Sequence, residues 1–284
     1  MKALVIGAGG QIGAILAAQC SLKGMETLGA GVGAEALRLD LGAADSVQEA
    51  FAQARPDIVF LCGAMTHVDG CERDPELASR VNARGPALVA GQCRAAGARL
   101  VYLSTEYVFD GKAGPYGEDD PVNPISVYGR TKLEGEQAVL ALADALVIRT
   151  TVVYSHGAAS MNFIMQLINN ARAGRVMRVP QDQFSNPTYA PELAAAILEL
   201  ADKGAAGIYN VVGPELLNRY DFALKACAVL GFDASFLKPV TTAQLGQAAA
   251  RPLKAGLKTL KLVKTLGHSL APVEKSLAEI AALL

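Results

Sequence analysis

The first half of the chain alternates between short, almost continuously apolar runs and longer stretches with apolar residues at helical spacing. Runs of the first kind are KALVIG (2–7), METLGAG (25–31), DIVFLCG (57–63), RLVYLST (99–105) and DALVIRT (144–150). Between them lie stretches of the second kind, such as QIGAILAAQCSLKG (11–24) and PELASRVNARGPALVAGQCRAAG (75–97). Strands apolar on both faces, alternating with helices, predict a parallel sheet covered on both sides and joined by right-handed crossovers. The expected fold class is therefore α/β, a Rossmann-type doubly wound parallel sheet.

After Thr150 the pattern loosens. SMNFIMQLINNARAG (160–174) reads as helix and RVMRVP (175–180) as a short strand. TYAPELAAAILELADKG (188–204) is strongly helical again, and GIYNVVG (207–213) is another apolar strand; both are expected to rejoin the sheet. The organisation expected is a dinucleotide-binding domain, 1–150 plus about 189–212, and a smaller C-terminal substrate lobe, about 151–188 and 213–284.

Composition narrows the picture. Of 284 residues, 51% are hydrophobic and 19% charged, enough for a large core and too apolar for disorder. The formal net charge of −1 argues against nucleic acid as a partner. MKALVIGAGG opens directly as strand and turn, so no cleavable leader is expected, and no apolar run is long enough to span a membrane. The five cysteines form no CxxC pair and are expected to be reduced, in a cytoplasmic protein. The three histidines lack metal-ligand spacing, and no metal is expected.

The first candidate chemistry is VIGAGGQIG, which sets Gly7, Gly10 and Gly13 between the first strand and the first helix. Glycines there let backbone N–H groups and a helix N-terminus approach a pyrophosphate; a Cβ at Gly7 or Gly10 is expected to block the tight turn and keep those N–H groups away. The spacing is GxxGxxG rather than GxGxxG. No Asp or Glu stands at the end of the second strand before Glu35, where a carboxylate would select NAD through the ribose 2′-hydroxyl. NADPH is therefore slightly favoured over NADH, with use of both left open. Asp40 and Leu41 are candidates for an adenine contact; equally, Asp40 could cap the next helix.

The second is SVYGRTKLEGEQ (126–137), in which Lys132 follows Tyr128 by one helical turn. By itself YxxxK is weak evidence. Its context is stronger: the strand at 99–105 ends in Ser104-Thr105, at the carboxyl edge where open α/β sheets bind ligands, and Tyr128 heads the next helix. A phenol is a poor proton donor or acceptor at neutral pH unless a neighbouring cation lowers its pKa, the role expected of Lys132. Thr105 would share the substrate oxygen.

Together these features resemble the extended short-chain dehydrogenase/reductases, and more closely the dTDP-4-dehydrorhamnose reductases and their sugar-nucleotide-binding relatives. The resemblance is carried by GAGGQIG (7–13), GAMTHVDGCERDPELASRVNARG (63–85), LSTEYVFDGKAGPYGEDDPVNPISVYGRTKLEGE (103–136), MNF (161–163), NPTYAPELA (186–194) and RP (251–252). It implies Thr105, Tyr128 and Lys132 as the catalytic set. It implies dinucleotide contacts from Gly7, Gly10, Gln11, Ile12, Gly13, Gly63, Ala64, Met65, Tyr128 and Lys132. Sugar-nucleotide contacts are implied for Thr66, Val68, Asp69, Tyr107, Asn162 and Arg251, Arg251 being a candidate for the diphosphate. Duller roles stand beside these: Thr66, Asp69 and Asn162 as helix caps, Arg251 as a surface cation.

The chain departs from the family's pattern in places. Glu106 stands where the family usually has Asp, and RTTVVY has Val152 where Trp is common. Ile15 occupies the neighbourhood of a carboxylate that helps some members bind Mg²⁺ between subunits. The activity implied is NAD(P)H-dependent reduction of the C4 keto group of a dTDP-4-keto-6-deoxy sugar, in an enzyme free to form a homodimer. A 4,6-dehydratase is disfavoured, because the paired acids of TDEVYG are here Glu106 and Tyr107. A different class of function, a non-catalytic nucleotide-binding subunit resembling the regulatory subunit of methionine adenosyltransferase, is the alternative.

Overall fold

Successive residues of the first strand, Lys2–Ile6, point into different layers. Ala3 and Val5 join one apolar cluster, Leu4 and Ile6 another. The same division holds along Ile58–Leu61, Arg99–Thr105 and Leu146–Thr150, and explains why these strands read as unbroken apolar runs. The structure is a computed structural model that describes residues 1–33, 36–157 and 162–284. Its main sheet has seven strands, all parallel, in the order Gly207–Asn210, Leu146–Thr150, Arg99–Thr105, Ile58–Leu61, Lys2–Ile6, Glu26–Gly31, Leu37–Arg38. The order reverses between Lys2–Ile6 and Ile58–Leu61, which opens a crevice at the carboxyl edge. Of these strands only Leu37–Arg38 was not anticipated; two residues are too few for a hydrophobic pattern.

Helices Gln11–Leu22, Ala190–Asp202 and Leu260–Leu266 cover one face; Ala44–Ala54, Gly85–Ala96 and Val127–Val139 cover the other. The stretch 75–97, read as helical in pattern, is three pieces: α-helix Pro75–Ser79, a π-turn Arg80–Arg84, and α-helix Gly85–Ala96. Pro86 has no N–H to give the carbonyl of Asn82, and the Tyr102 hydroxyl donates to that carbonyl instead, at 3.4 Å.

A third apolar cluster is built from Tyr154, helix Phe163–Arg172, helix Arg219–Leu230 and helix Val273–Ala281. Short strands lie beside it, including Met177–Pro180 paired with Leu237–Val240. The first residues of the helix expected at 160–174, with Met161 of the family motif, lie outside the described residues, as does Glu35. All five cysteines are free, four of them buried.

Candidate active site

At the carboxyl edge of the sheet lies a cavity of about 1040 Å³ that runs from the glycine turn to the start of helix Arg219–Leu230. Gly7 adopts φ +86°, a left-handed conformation, and a Cβ there would sit 2.5 Å from the backbone nitrogen of Gly63. Gly13 lets the first helix press onto the turn: its Cβ would be 2.1 Å from the Gly7 carbonyl oxygen. Gly10 differs. It precedes the helix at φ −82° and ψ 166°, and its Cβ would meet only the Gly7 oxygen, at 3.3 Å. The turn itself therefore does not need glycine at position 10. What glycine provides there is open space on the cavity wall. Gly7, Gly10, Ile12 and Gly13 all line the cavity with Gln11, whose side-chain amide donates to Ser155 Oγ at 2.9 Å. A bare turn followed by a helix N-terminus is the surface a pyrophosphate requires, so the residues present fit a dinucleotide.

Asp40 and Leu41 line the same end, as do Gly31, Val32 and Gly33. One carboxylate oxygen of Asp40 accepts the Gly42 N–H at 2.8 Å, and the Asp40 N–H donates to Ser46 Oγ at 3.0 Å. Asp40 thus shapes the turn ahead of helix Ala44–Ala54 while facing the cavity; the residue at the cap itself is Ala43. The loop Gly63, Ala64, Met65 forms the opposite wall. It is clamped by Asn82, whose side-chain amide both accepts from the Met65 N–H at 2.8 Å and donates to the Met65 carbonyl at 3.0 Å. Asn82 was not anticipated. Its one signal is an amide inside a stretch of helical pattern, three residues before Gly85-Pro86.

Thr105 ends its strand directly opposite Thr150 in the neighbouring strand. Helix Val127–Val139 starts where Ser126 Oγ accepts the Gly129 N–H at 3.2 Å, so Tyr128 and Lys132 stand one turn apart on it. The Tyr128 phenol is buried near the Thr105 hydroxyl, which pulls its pKa down. Lys132 is not among the groups that shift the phenol in this structure. Its Nζ donates to the Leu103 carbonyl at 2.7 Å and lies 4.1 Å from the centre of the Tyr102 ring. Burial pushes Lys132 down to about 7, against the pull of Glu136. Burial also raises Tyr128 above the ordinary tyrosine range, outweighing the pull of the Thr105 hydroxyl. The low dielectric around the pair penalises both charged forms.

Of the substrate candidates, Thr66, Val68 and Tyr107 line the cavity. Tyr107 meets Tyr128 edge to face, with ring centres 5.3 Å apart. Thr66 is not a cap; His67 holds that position before helix Val68–Arg73. Asp69, Asn162 and Arg251 are not on the cavity wall. Asp69 accepts from Arg251 Nη2 at 2.9 Å and from the Ala249 N–H at 3.0 Å, so it caps no helix and instead ties residues 182 positions apart. Arg251 is spent on that pair and on the Ala249 carbonyl. Asn162 caps helix Phe163–Arg172, accepting from the Met165 N–H at 3.1 Å.

The wall also holds Thr150, Thr151, Val152 and Arg219, beside Glu106. Glu106 is buried near Thr151, and its Oε2 has no hydrogen-bond partner among the described residues. Thr150 Oγ1 is likewise buried without a partner. Burial carries the Glu106 carboxyl up to about 8, against Thr151 and the charge of Arg219. Val152, in the place where the family often has Trp, takes φ +46°, a strained conformation for a β-branched residue.

The RmlD substrate binding domain family matches residues 1–284, the whole chain. The chain belongs to the RmlD substrate binding domain family. Among its relatives in that family, the dTDP-4-dehydrorhamnose reductase of Mycolicibacterium smegmatis is 36% identical over 255 residues, 88% of this chain and 76% of that protein. Two solved structures share the RmlD-type fold end to end. A dTDP-4-dehydrorhamnose reductase from Clostridium acetobutylicum superposes with a TM-score of 0.91 at 34% identity, covering 100% of this chain and 99% of that one. The dTDP-4-dehydrorhamnose reductase of Bacillus anthracis, solved in complex with NADP, gives a TM-score of 0.92 at 30% identity, with 100% of both chains covered.

Proposed function

We propose that this protein is an NAD(P)H-dependent reductase of the C4 keto group of a dTDP-4-keto-6-deoxy sugar, a dTDP-4-dehydrorhamnose reductase giving dTDP-L-rhamnose. The observation that carries the reading is one cavity lined by the glycine turn at one end and by Thr105, Tyr128 and Lys132 further along. Relatives named for this activity span the chain, and one was solved with NADP.

In this reading Gly7, Gly10 and Gly13 leave room for the pyrophosphate of the dinucleotide, and residues 63–65 flank it. When bound, the reduced nicotinamide supplies a hydride to the carbonyl carbon. Tyr128 gives its proton to the carbonyl oxygen. Its raised pKa suits the direction of the reaction, because the phenol stays protonated at neutral pH yet remains more acidic than an alkoxide. Thr105 hydrogen-bonds the same oxygen as charge develops on it. Lys132, fixed by the Leu103 carbonyl, holds the nicotinamide ribose and contributes its charge when protonated. Residues 1–150 with about 189–212 hold the dinucleotide, and 151–188 with 213–284 the sugar nucleotide. Among the described residues no helix is long and apolar enough to cross a membrane. A reducing cytoplasm suits the five free cysteines.

The test is the purified protein with dTDP-4-keto-6-deoxy sugars and NADPH or NADH in parallel, following loss of reduced cofactor. Turnover of a 4-keto sugar is expected, with NADPH at least as good as NADH. Full binding of cofactor and sugar nucleotide without turnover would sink the reading and favour a non-catalytic subunit.

A further inference from the structure

Two polar groups on the cavity wall take no part in the chemistry above: Arg219, and Glu106 with its unpartnered Oε2. Arg219, the first residue of helix Arg219–Leu230, lines the cavity with its guanidinium over the Phe163 ring, 5.2 Å from the ring centre. Among the described residues no carboxylate lies within ion-pair distance of it, and its side chain makes no hydrogen bond. Glu106, on the same wall, is 4% exposed with Oε2 unpartnered. The two feel each other's charge without forming an ion pair. With burial raising its carboxyl to about 8, Glu106 is mostly neutral at neutral pH and leaves the Arg219 charge uncompensated. Arg251 presents the opposite case, because Asp69 already neutralises it.

A half-buried cation on a cavity wall without a counterion favours an anion beside it, and a planar guanidinium is suited to two-point binding of phosphate or carboxylate oxygens. We infer that Arg219 is the anion-binding group of the substrate half of this cavity, taking an oxyanion of the substrate while the free oxygen of Glu106 hydrogen-bonds a neighbouring hydroxyl. The inference rests on the sugar-nucleotide reading of the site. The oxyanion has two sources, the diphosphate of the nucleotide or a carboxylate on the sugar. Arg219 lies within electrostatic reach of Glu106 and Tyr107, so the anion sits next to the reacting sugar in either case.

The test is binding, read by calorimetry on the full chain with NADP⁺ present, for the parent, Arg219→Met and Arg219→Lys. The probes are dTDP, UDP-glucose and UDP-glucuronate. If the diphosphate is the ligand, Arg219→Met weakens dTDP by about tenfold or more and Arg219→Lys recovers part of the loss. If a sugar carboxylate is the ligand, dTDP is unaffected, and the parent's preference for UDP-glucuronate over UDP-glucose disappears in Arg219→Met. The inference is overturned if Arg219→Met changes no probe by more than about twofold, if the parent binds none of them, or if NADP⁺ affinity falls in parallel. Thermal melting checks the fold of each variant; should the methionine variant unfold, Arg219→Gln carries the same comparison. Because the readout is affinity, a parent that binds through Arg219 but reduces no keto sugar would reject the reductase reading and leave the anion site standing.

Discussion

Glu136 and Arg149 form an ion pair with almost no access to water: Nη2 lies 2.7 Å from Oε2 and Nε 3.0 Å from Oε1. Ser104 Oγ donates to the same carboxylate, and Arg149 also reaches the Glu118 carbonyl at 3.2 Å. Glu136 lies one turn beyond Lys132 and opposes the fall in that lysine's pKa. Removing one partner of a buried pair costs about 3–5 kcal/mol, whereas replacing both with apolar residues of similar volume is often neutral. Glu136→Leu is therefore expected to lose roughly that much stability in urea unfolding, and Glu136→Leu with Arg149→Met to regain most of it.

The lowered pKa of Lys132 gives a pH signature. A lysine brought down to about 7 is charged below that pH and neutral above it. If the ammonium is the working form, kcat/KM of the free enzyme falls as pH rises through neutrality. Lys132→Arg keeps its charge across the range, so its slower reaction should lack that limb. A parent profile flat from pH ~6 to ~9 would show that the charge of Lys132 is not needed.

Tyr128→Phe removes the proton and little volume. Its kcat should fall by about 10²–10⁴-fold with sugar-nucleotide affinity retained. Thr105→Val should lower kcat more than it weakens binding, because its hydrogen bond strengthens only as charge builds on the oxygen. Parent-like turnover by Tyr128→Phe would reject the assignment.

The glycine turn separates into two functions. Gly13→Ala places a methyl against the Gly7 carbonyl and should lower the melting temperature, overpacking typically costing about 1–3 kcal/mol. Gly10→Val meets little protein and should melt near the parent, yet lose NADPH binding. Normal NADPH affinity in Gly10→Val would show that the dinucleotide does not cross this turn.

Asp69 and Arg251 should behave as a structural clasp. Burial raises the Asp69 carboxyl, but the Ala249 N–H and Arg251 outweigh it and leave its pKa below the ordinary value. A depressed carboxylate contributes stability above its unfolded pKa and loses it as pH falls through the folded one. A double-mutant cycle with Asp69→Asn and Arg251→Ala should give a coupling of about 0.5–3 kcal/mol at neutral pH that fades in acid. Additive effects at neutral pH would deny the clasp.

The sheet was legible because its strands are buried on both faces, and VIGAGGQIG because its spacing is local. Other parts depend on distance along the chain. Nothing near Asp69 announces Arg251, 182 residues away, so each looked free to meet a ligand. The π-turn escaped notice because residues 75–97 keep a helical pattern across it; only Pro86 hints that a backbone bond is missing. The Tyr–Lys spacing was plain, but its electrostatics were not, because burial rather than spacing sets both pKa values.

The helix that carries Tyr128 and Lys132 is seated by two of its own glycines. A Cβ at Gly129 would be 2.1 Å from the Tyr107 carbonyl oxygen, and one at Gly135 would be 2.4 Å from that of Asn82. Backbone contacts on either side of Lys132 thus leave no room for a side chain at those two positions. Glu106, Val152 and Arg219 line the same cavity from other elements. If the proposed reading holds, a change of preferred sugar is expected to run through those three positions, with Tyr128 and Lys132 held in place as an inherited constant.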